Sequence, residues 1–194
     1  TIETNGAALT SGAFWGLSGV IMLRVLFTQE VSRTIPVTQS SPIFAALLSM
    51  VFLDEDISRL QWGGITLTVL GSILLSLRMR DVGTISLDRT FYFLMFSALA
   101  FGISNVIGKY VLEELPILYT HGLRMLGFGG VFLIFTLRTA SWNEVQRFFL
   151  NRSPALLFVG INEFITANVG LLLLLWALSE GPASLVIALM GTRS

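Results

Sequence analysis

Six apolar runs, each long enough to cross a lipid bilayer, constrain this chain more than anything else in it; they occupy residues 6–27, 35–53, 60–77, 91–112, 116–137 and 154–178. A seventh run opens near Pro182. A hydrocarbon layer of about 30 Å needs roughly 17–25 apolar residues of helix at 1.5 Å per residue, and the six runs have that length. Backbone N–H and C=O groups find no water in lipid. Each run therefore has to satisfy them internally, which predicts helices rather than open strands. The strict apolar and polar alternation of a membrane barrel is not seen. Short connectors at 28–34, 54–56, 78–90, 113–115, 138–153 and 179–181 carry the breakers and charges, so successive helices are expected to be antiparallel neighbours.

Composition agrees with a lipid-embedded chain. Of 194 residues 54% are hydrophobic and 12% charged, with a mean hydropathy of +0.78; ordinary soluble domains run at roughly 45–50% and 25%. The 12 basic and 12 acidic residues cancel and are scattered, without the basic stripe a nucleic-acid partner requires. Membrane lipids and a small-molecule substrate are the expected partners, nucleic acid is not, and a homodimer stays open. The chain has no cysteine and a single histidine, which excludes disulfides, thiol chemistry and the usual zinc-hydrolase clusters, and no cofactor or metal is implied. It opens Thr1-Ile2-Glu3-Thr4 without an initiator methionine and stops at Gly191-Thr192-Arg193-Ser194 shortly after an apolar run begins, so both ends read as truncations.

Small residues within the spans let helices approach closely. Gly12-Ala13-Phe14-Trp15-Gly16 is a GxxxG, Ser18-Gly19 follows, and Gly63, Gly64 and Gly71 mark the third span. Packing is the simplest role for all of them. Pro36 and Pro42 fall within the second span, where a proline removes an intrahelical hydrogen bond, so this helix is expected to be kinked or locally unwound.

From Pro36-Val-Thr-Gln-Ser-Ser-Pro42 through the apolar stretch to Asp54-Glu55-Asp56, and on into Leu60-Gln-Trp-Gly-Gly and Gly71, the chain resembles the EamA domain of the drug/metabolite transporter superfamily. That family shows Ser-Pro, an apolar run, a Gly/Asp-Glu turn, then Gln-x-x-Gly and a second glycine. Ser97-Ala-Leu-Ala-Phe-Gly-Ile-Ser-Asn105-Val-Ile-Gly-Lys109, Leu115-Pro116 and Leu123-Arg124-Met125 are similar to the opening of a further EamA repeat, and Glu180-Gly-Pro-Ala-Ser184 to the entry of its fourth helix. The resemblance implies an all-α, polytopic integral membrane bundle of two EamA-like five-helix inverted repeats. Of ten helices, this chain would hold the third to the eighth and part of the ninth. Residues 1–81 would then be the C-terminal part of the first repeat, and 82–194 the N-terminal part of the second. It also implies a multi-pass secondary carrier of small organic solutes, expected in the plasma membrane. A membrane-embedded enzyme such as a lipid-group transferase is the alternative, which should show paired carboxylates or a metal cluster at a membrane face. The only acidic cluster, Asp54-Glu55-Asp56, lies on a turn that the resemblance already accounts for.

Two motif look-alikes carry no function. Gly102-Ile-Ser-Asn-Val-Ile-Gly108-Lys109-Tyr110 has one residue too many for a P-loop, and a tyrosine where Ser or Thr should bind magnesium. Asn151-Arg152-Ser153 fits the N-glycosylation pattern but is followed by proline.

Polar groups inside the spans are the candidates for function, because a charge in hydrocarbon is costly and usually faces the bundle interior or a wet cavity. Arg24 and Lys109 lie near span ends and can snorkel. His121 and Arg124 are three apart on one helical face and harder to explain that way, though Arg124 also matches an arginine common in this helix of the family. Glu163 falls about 13–14 Å into its span, near the midplane, with Asn162 adjacent and Thr166 one turn on. A carboxylate at that depth suits proton exchange or a cationic solute group, and a fixed ion pair with Arg124 or His121 is its structural alternative. The expected solute pathway is thus Glu163, Asn162 and Thr166 with Asn105, Gln39, Arg124 and His121 as neighbours. Ser40, Ser41 and Ser104 are read as hydrogen-bonding glue between helices. Lys and Arg concentrate in 78–90 and 138–153, which the positive-inside rule places in the cytoplasm, whereas the arrangement common in the resembled family, with cytoplasmic termini, implies that both lie outside.

Overall fold

A computed structural model of the chain describes residues 1–27, 40–78, 89–139 and 154–191, which form α-helices and no strand. In chain order these are α1 (Ile2–Leu26), α2 (Ser41–Phe52), α3 (Arg59–Arg78), α4 (Arg89–Leu112), α5 (Ile117–Thr139), α6 (Pro154–Glu180) and α7 (Ala183–Gly191). Among the described residues, three helices are both long and apolar enough to cross a membrane: Ile2–Leu26, Thr90–Leu112 and Ile117–Arg138. The 27 residues of α6 amount to about 40 Å of helix, enough for a tilted crossing.

Helix α1 packs chiefly against α4 and α5. With no hydrophobic force between helices in lipid, close backbone approach and interhelical hydrogen bonds have to hold such a contact. Both are present. The contact with α4 is antiparallel and carries two serine rungs. Ser11 Oγ donates to Ser104 O and Ser104 Oγ to Ser11 O, each at 2.7 Å. Seven residues along, Ser97 Oγ donates to Ser18 O at 3.0 Å and the Ser18 and Ser97 hydroxyls meet at 3.0 Å. The contact with α5 is parallel and nearly touches backbone to backbone: a Cβ at Gly12 would fall 2.0 Å from Arg124 O, and one at Gly127 2.1 Å from Leu9 O. The Gly12–Gly16 spacing is thus a packing face, as its sequence suggests. Arg24 lies over the Phe135 ring at 4.9 Å, so its charge meets an aromatic face at the far end of the same contact.

Around this trio sit α2, α3, α6 and α7. Gly102 of α4 lets α2 come close, a Cβ there lying 3.2 Å from Phe44 Cβ. Pro42 occupies the first turn of α2, where its missing N–H has no intrahelical partner to lose. It starts the helix rather than kinking it; Pro36 lies outside the described residues. Ala46, Ile65 and Ala188 join α2, α3 and α7 in one buried cluster, and Leu174, Leu175, Leu178 and Ala183 join α6 to α7 in another. Helix α2 ends because Asp54 turns into the left-handed region, φ 49, which Asp tolerates better than most residues. Helix α3 begins with a capping box: Ser58 N–H donates to Gln61 Oε1 at 2.7 Å, and Gln61 N–H to Ser58 Oγ at 3.3 Å.

Candidate functional site

The antiparallel and parallel contacts of α1 place Arg124 in the middle of the trio. Its side chain is only 3% exposed, and Gly108 on α4 leaves room for the guanidinium, since a Cβ there would fall 2.6 Å from Nη1. Among the described residues its only hydrogen-bond partner is a neutral one, the Ser104 hydroxyl at 3.1 Å from Nη2. Ser104 is thus both a rung of the serine ladder and an acceptor for the buried cation. One residue on, Asn105 is completely buried; its Nδ2 donates to Phe101 O at 2.9 Å, and its Oδ1 has no partner. One turn before Arg124, Thr120 is equally buried and its hydroxyl equally unpartnered. A guanidinium offers five donors and cannot deprotonate in ordinary circumstances. Held in a membrane helix against one neutral acceptor, it can take an acceptor-rich group.

His121, three residues from Arg124, faces α6 instead. Its Nε2 lies 3.0 Å from Asn168 Oδ1, while Asn168 Nδ2 donates to Phe164 O at 2.6 Å. That assignment of the amide makes His121 Nε2 the donor. Among the described residues Asn168 is therefore a polar residue of α6 that meets α5, and the sequence reading passed over it. Asn162 and Thr166 are exposed and lie about 120° and 160° around the helix from Asn168 at 100° per residue. Neither has a described hydrogen bond to Arg124, His121 or Asn105. Glu163 belongs to α6, but its side chain lies outside the described residues, as does all of Gln39. Of the expected pathway, then, Arg124 lies at the α1–α4–α5 contact, Asn105 is buried on α4 one turn from Lys109 and His121 joins α5 to α6, whereas Asn162 and Thr166 stand apart.

A second polar centre lies at one end of the bundle. Lys109, near the end of α4, forms an ion pair with Glu55 Oε1 and donates to Gly181 O at 2.7 Å; Ala183 N–H donates to the same Glu55 oxygen at 3.3 Å. Glu55 thereby caps α7, where a carboxylate is favoured by the helix dipole. Lys109 is paired with protein rather than snorkelling into solvent, and Glu55 is no idle turn charge. The Lys109–Glu55 bond spans 54 residues and the Ala183–Glu55 bond 128, beyond the reach of any local sequence signal.

Long apolar helices held by small residues and interhelical hydroxyls, with a buried cation among them, define a polytopic helical membrane protein with a polar interior. Its sequence matches the family model of the EamA-like transporter family over residues 6–77 and 89–193. The chain belongs to that family, as its motifs suggested, and is a membrane transporter in the general sense the family defines. Comparison with curated proteins and with solved structures returned no match.

Proposed function

We propose that the chain acts within a ten-helix secondary carrier that moves small organic solutes across the plasma membrane, and that it is not an enzyme. The observation that carries this reading is Arg124: a guanidinium buried in the middle of three packed helices with one neutral hydroxyl partner among the described residues. Such a group is costly in a membrane and is usually retained because something passes by or binds. Asn105, His121 and Glu163 complete the intramembrane polar set, with Asn162, Thr166 and Gln39 as further contacts along the pathway. The two family matches, 6–77 and 89–193, flank the repeat boundary placed at residues 81 and 82 and support an organisation in two repeats meeting there. The enzyme alternative would need free paired carboxylates at a membrane face, and Glu55 is engaged with Lys109 and α7.

Uptake of a radiolabelled metabolite pool by vesicles bearing the protein tests the reading. Glu163→Gln and Arg124→Gln should each abolish or uncouple transport while expression persists. Wild-type rate and pH dependence in a well-folded Glu163→Gln protein would remove Glu163 from the pathway. Loss of folding in Glu163→Gln that is rescued by adding Arg124→Gln would instead make the two a structural ion pair.

A further inference from the structure

The contacts around Lys109 differ from the serine ladder that holds α1 to α4. The serine ladder is fully paired and the glycine contacts leave no slack. At Lys109 the arrangement is half satisfied. Glu55 Oε1 accepts from both Lys109 and Ala183, but Glu55 Oε2 is buried with no partner. Two more buried oxygens nearby are unpartnered: Asn105 Oδ1, one turn from Lys109 along α4, and Ser184 Oγ, next to the capped Ala183. Buried polar atoms without partners are rare in a settled interior, and each would gain from reaching water. Water is close. An open cleft of about 390 Å³ lies over the pair, lined by Asp56, Ser179, Glu180 and Pro182 together with Glu55 and Lys109 themselves. The two charged side chains are 18% and 12% exposed, shielded enough for their attraction to matter and shallow enough to hydrate when parted.

The geometry also says what the pair holds together. Glu55 sits on the turn between α2 and α3, aimed inward by the left-handed Asp54; Lys109 is on α4; Gly181 lies on the turn between α6 and α7, and Ala183 opens α7. One ammonium and one carboxylate thus close three elements over the α2–α4–α7 junction. We propose that Lys109 and Glu55 form a latch, closed in this structure, which must part when this end of the carrier opens. The proposal rests on the carrier reading, in which one part of the bundle rocks against another around a central site. Parting the latch frees the N-terminus of α7 and admits water to Asn105, Ser184 and the second oxygen of Glu55, which compensates for the broken ion pair.

Because the chain has no cysteine, a single introduced thiol reports on this directly. Ser184→Cys places it beneath the latch, and Ser11→Cys places a control inside the α1–α4 ladder; both positions are 0% exposed. Permeabilised membranes containing the protein are treated with a membrane-impermeant maleimide. Adding Lys109→Met or Glu55→Gln should speed labelling of Ser184→Cys by about tenfold or more, as local opening becomes frequent. Combining the two should do no more than either alone, and Ser11→Cys should stay unreactive throughout. An unchanged Ser184→Cys rate overturns the latch. So does concurrent labelling of Ser11→Cys, which would show the pair to be a support without which the whole bundle loosens. No transported solute enters this measurement, so a failure of the carrier reading leaves its result standing, and the reverse is also true.

Discussion

A single methyl group separates glycine from alanine, and at two positions in this bundle there is no room for it. A Cβ at Gly12 or Gly127 would sit 2.0 or 2.1 Å from a backbone carbonyl of the facing helix, an obstacle that cannot rotate away. Gly12→Ala and Gly127→Ala should therefore force α1 from α5 and destabilise the protein by about 1–3 kcal/mol, the usual cost of overpacking. Gly6→Ala and Gly122→Ala, which have nothing within 4 Å, should be neutral or slightly stabilising in the same thermal unfolding assay. Equal losses at all four sites would mean that α1 and α5 do not meet as described. The serines separate in the same way. Ser97→Ala removes only its part of one rung and should cost about 0.6 kcal/mol, the average for an interhelical hydrogen bond in a membrane. Ser104→Ala also strips the buried Arg124 of its described partner and should cost more, toward about 1.7 kcal/mol, the upper end of such measurements. A smaller loss at Ser104 than at Ser97 would show that Arg124 does not depend on that hydroxyl.

At the scale of helices and turns, element type and approximate length were legible in the sequence, because the run length that lipid demands leaves no other solution. Which face meets which neighbour was not. The runs are apolar almost all round, so a polar residue such as Asn168 differs from Asn162 only by its angle about α6, and nothing local says which angle faces α5. The turn after α2 was legible as a pattern but not as physics. The structure supplies the reason for a Gly/Asp-Glu pair there: the first residue must adopt positive φ, and the second is thereby turned inward onto Lys109 and α7. Asp54→Gly should be neutral or stabilising, since glycine enters the left-handed region freely. Asp54→Val should destabilise by about 1–2 kcal/mol, the cost of that conformation for an ordinary residue, with more for a β-branched one. Thermal unfolding of the two variants decides it, and a tolerated valine would mean the turn does not hold this conformation.

Over the whole molecule the helices sort their termini into two ends of unlike charge. The start of α1, the turns at 53–58 and 113–116 and the turn before α7 lie together, as the bonds from Thr4 to Glu114 and from Lys109 to Glu55 and Gly181 require. This end carries Glu3, Asp54, Glu55, Asp56, Glu113, Glu114 and Glu180, against Arg59 and the paired Lys109. At the opposite end Arg24 lies in the last turn of α1, Arg78 closes α3, Arg89 opens α4 and Arg138 lies in the last turn of α5. In sequence, residues 79–88 and 140–153 carry Arg80, Arg147 and Arg152 against Asp81, Asp88 and Glu144. Lys and Arg next to spans set orientation far more than Asp and Glu do, so the arginine-rich end is predicted to lie in the cytoplasm and the proposed Lys109–Glu55 latch on the opposite surface. Single cysteines at Ser86 and Ser141 test this in a chain without native thiols. In intact cells an impermeant maleimide should leave both unlabelled, while Asp56→Cys in the cleft should react. After permeabilisation all three should react. Labelling of Ser86→Cys and Ser141→Cys in intact cells, with protection of Asp56→Cys, would invert the molecule and move the latch to the cytoplasmic side.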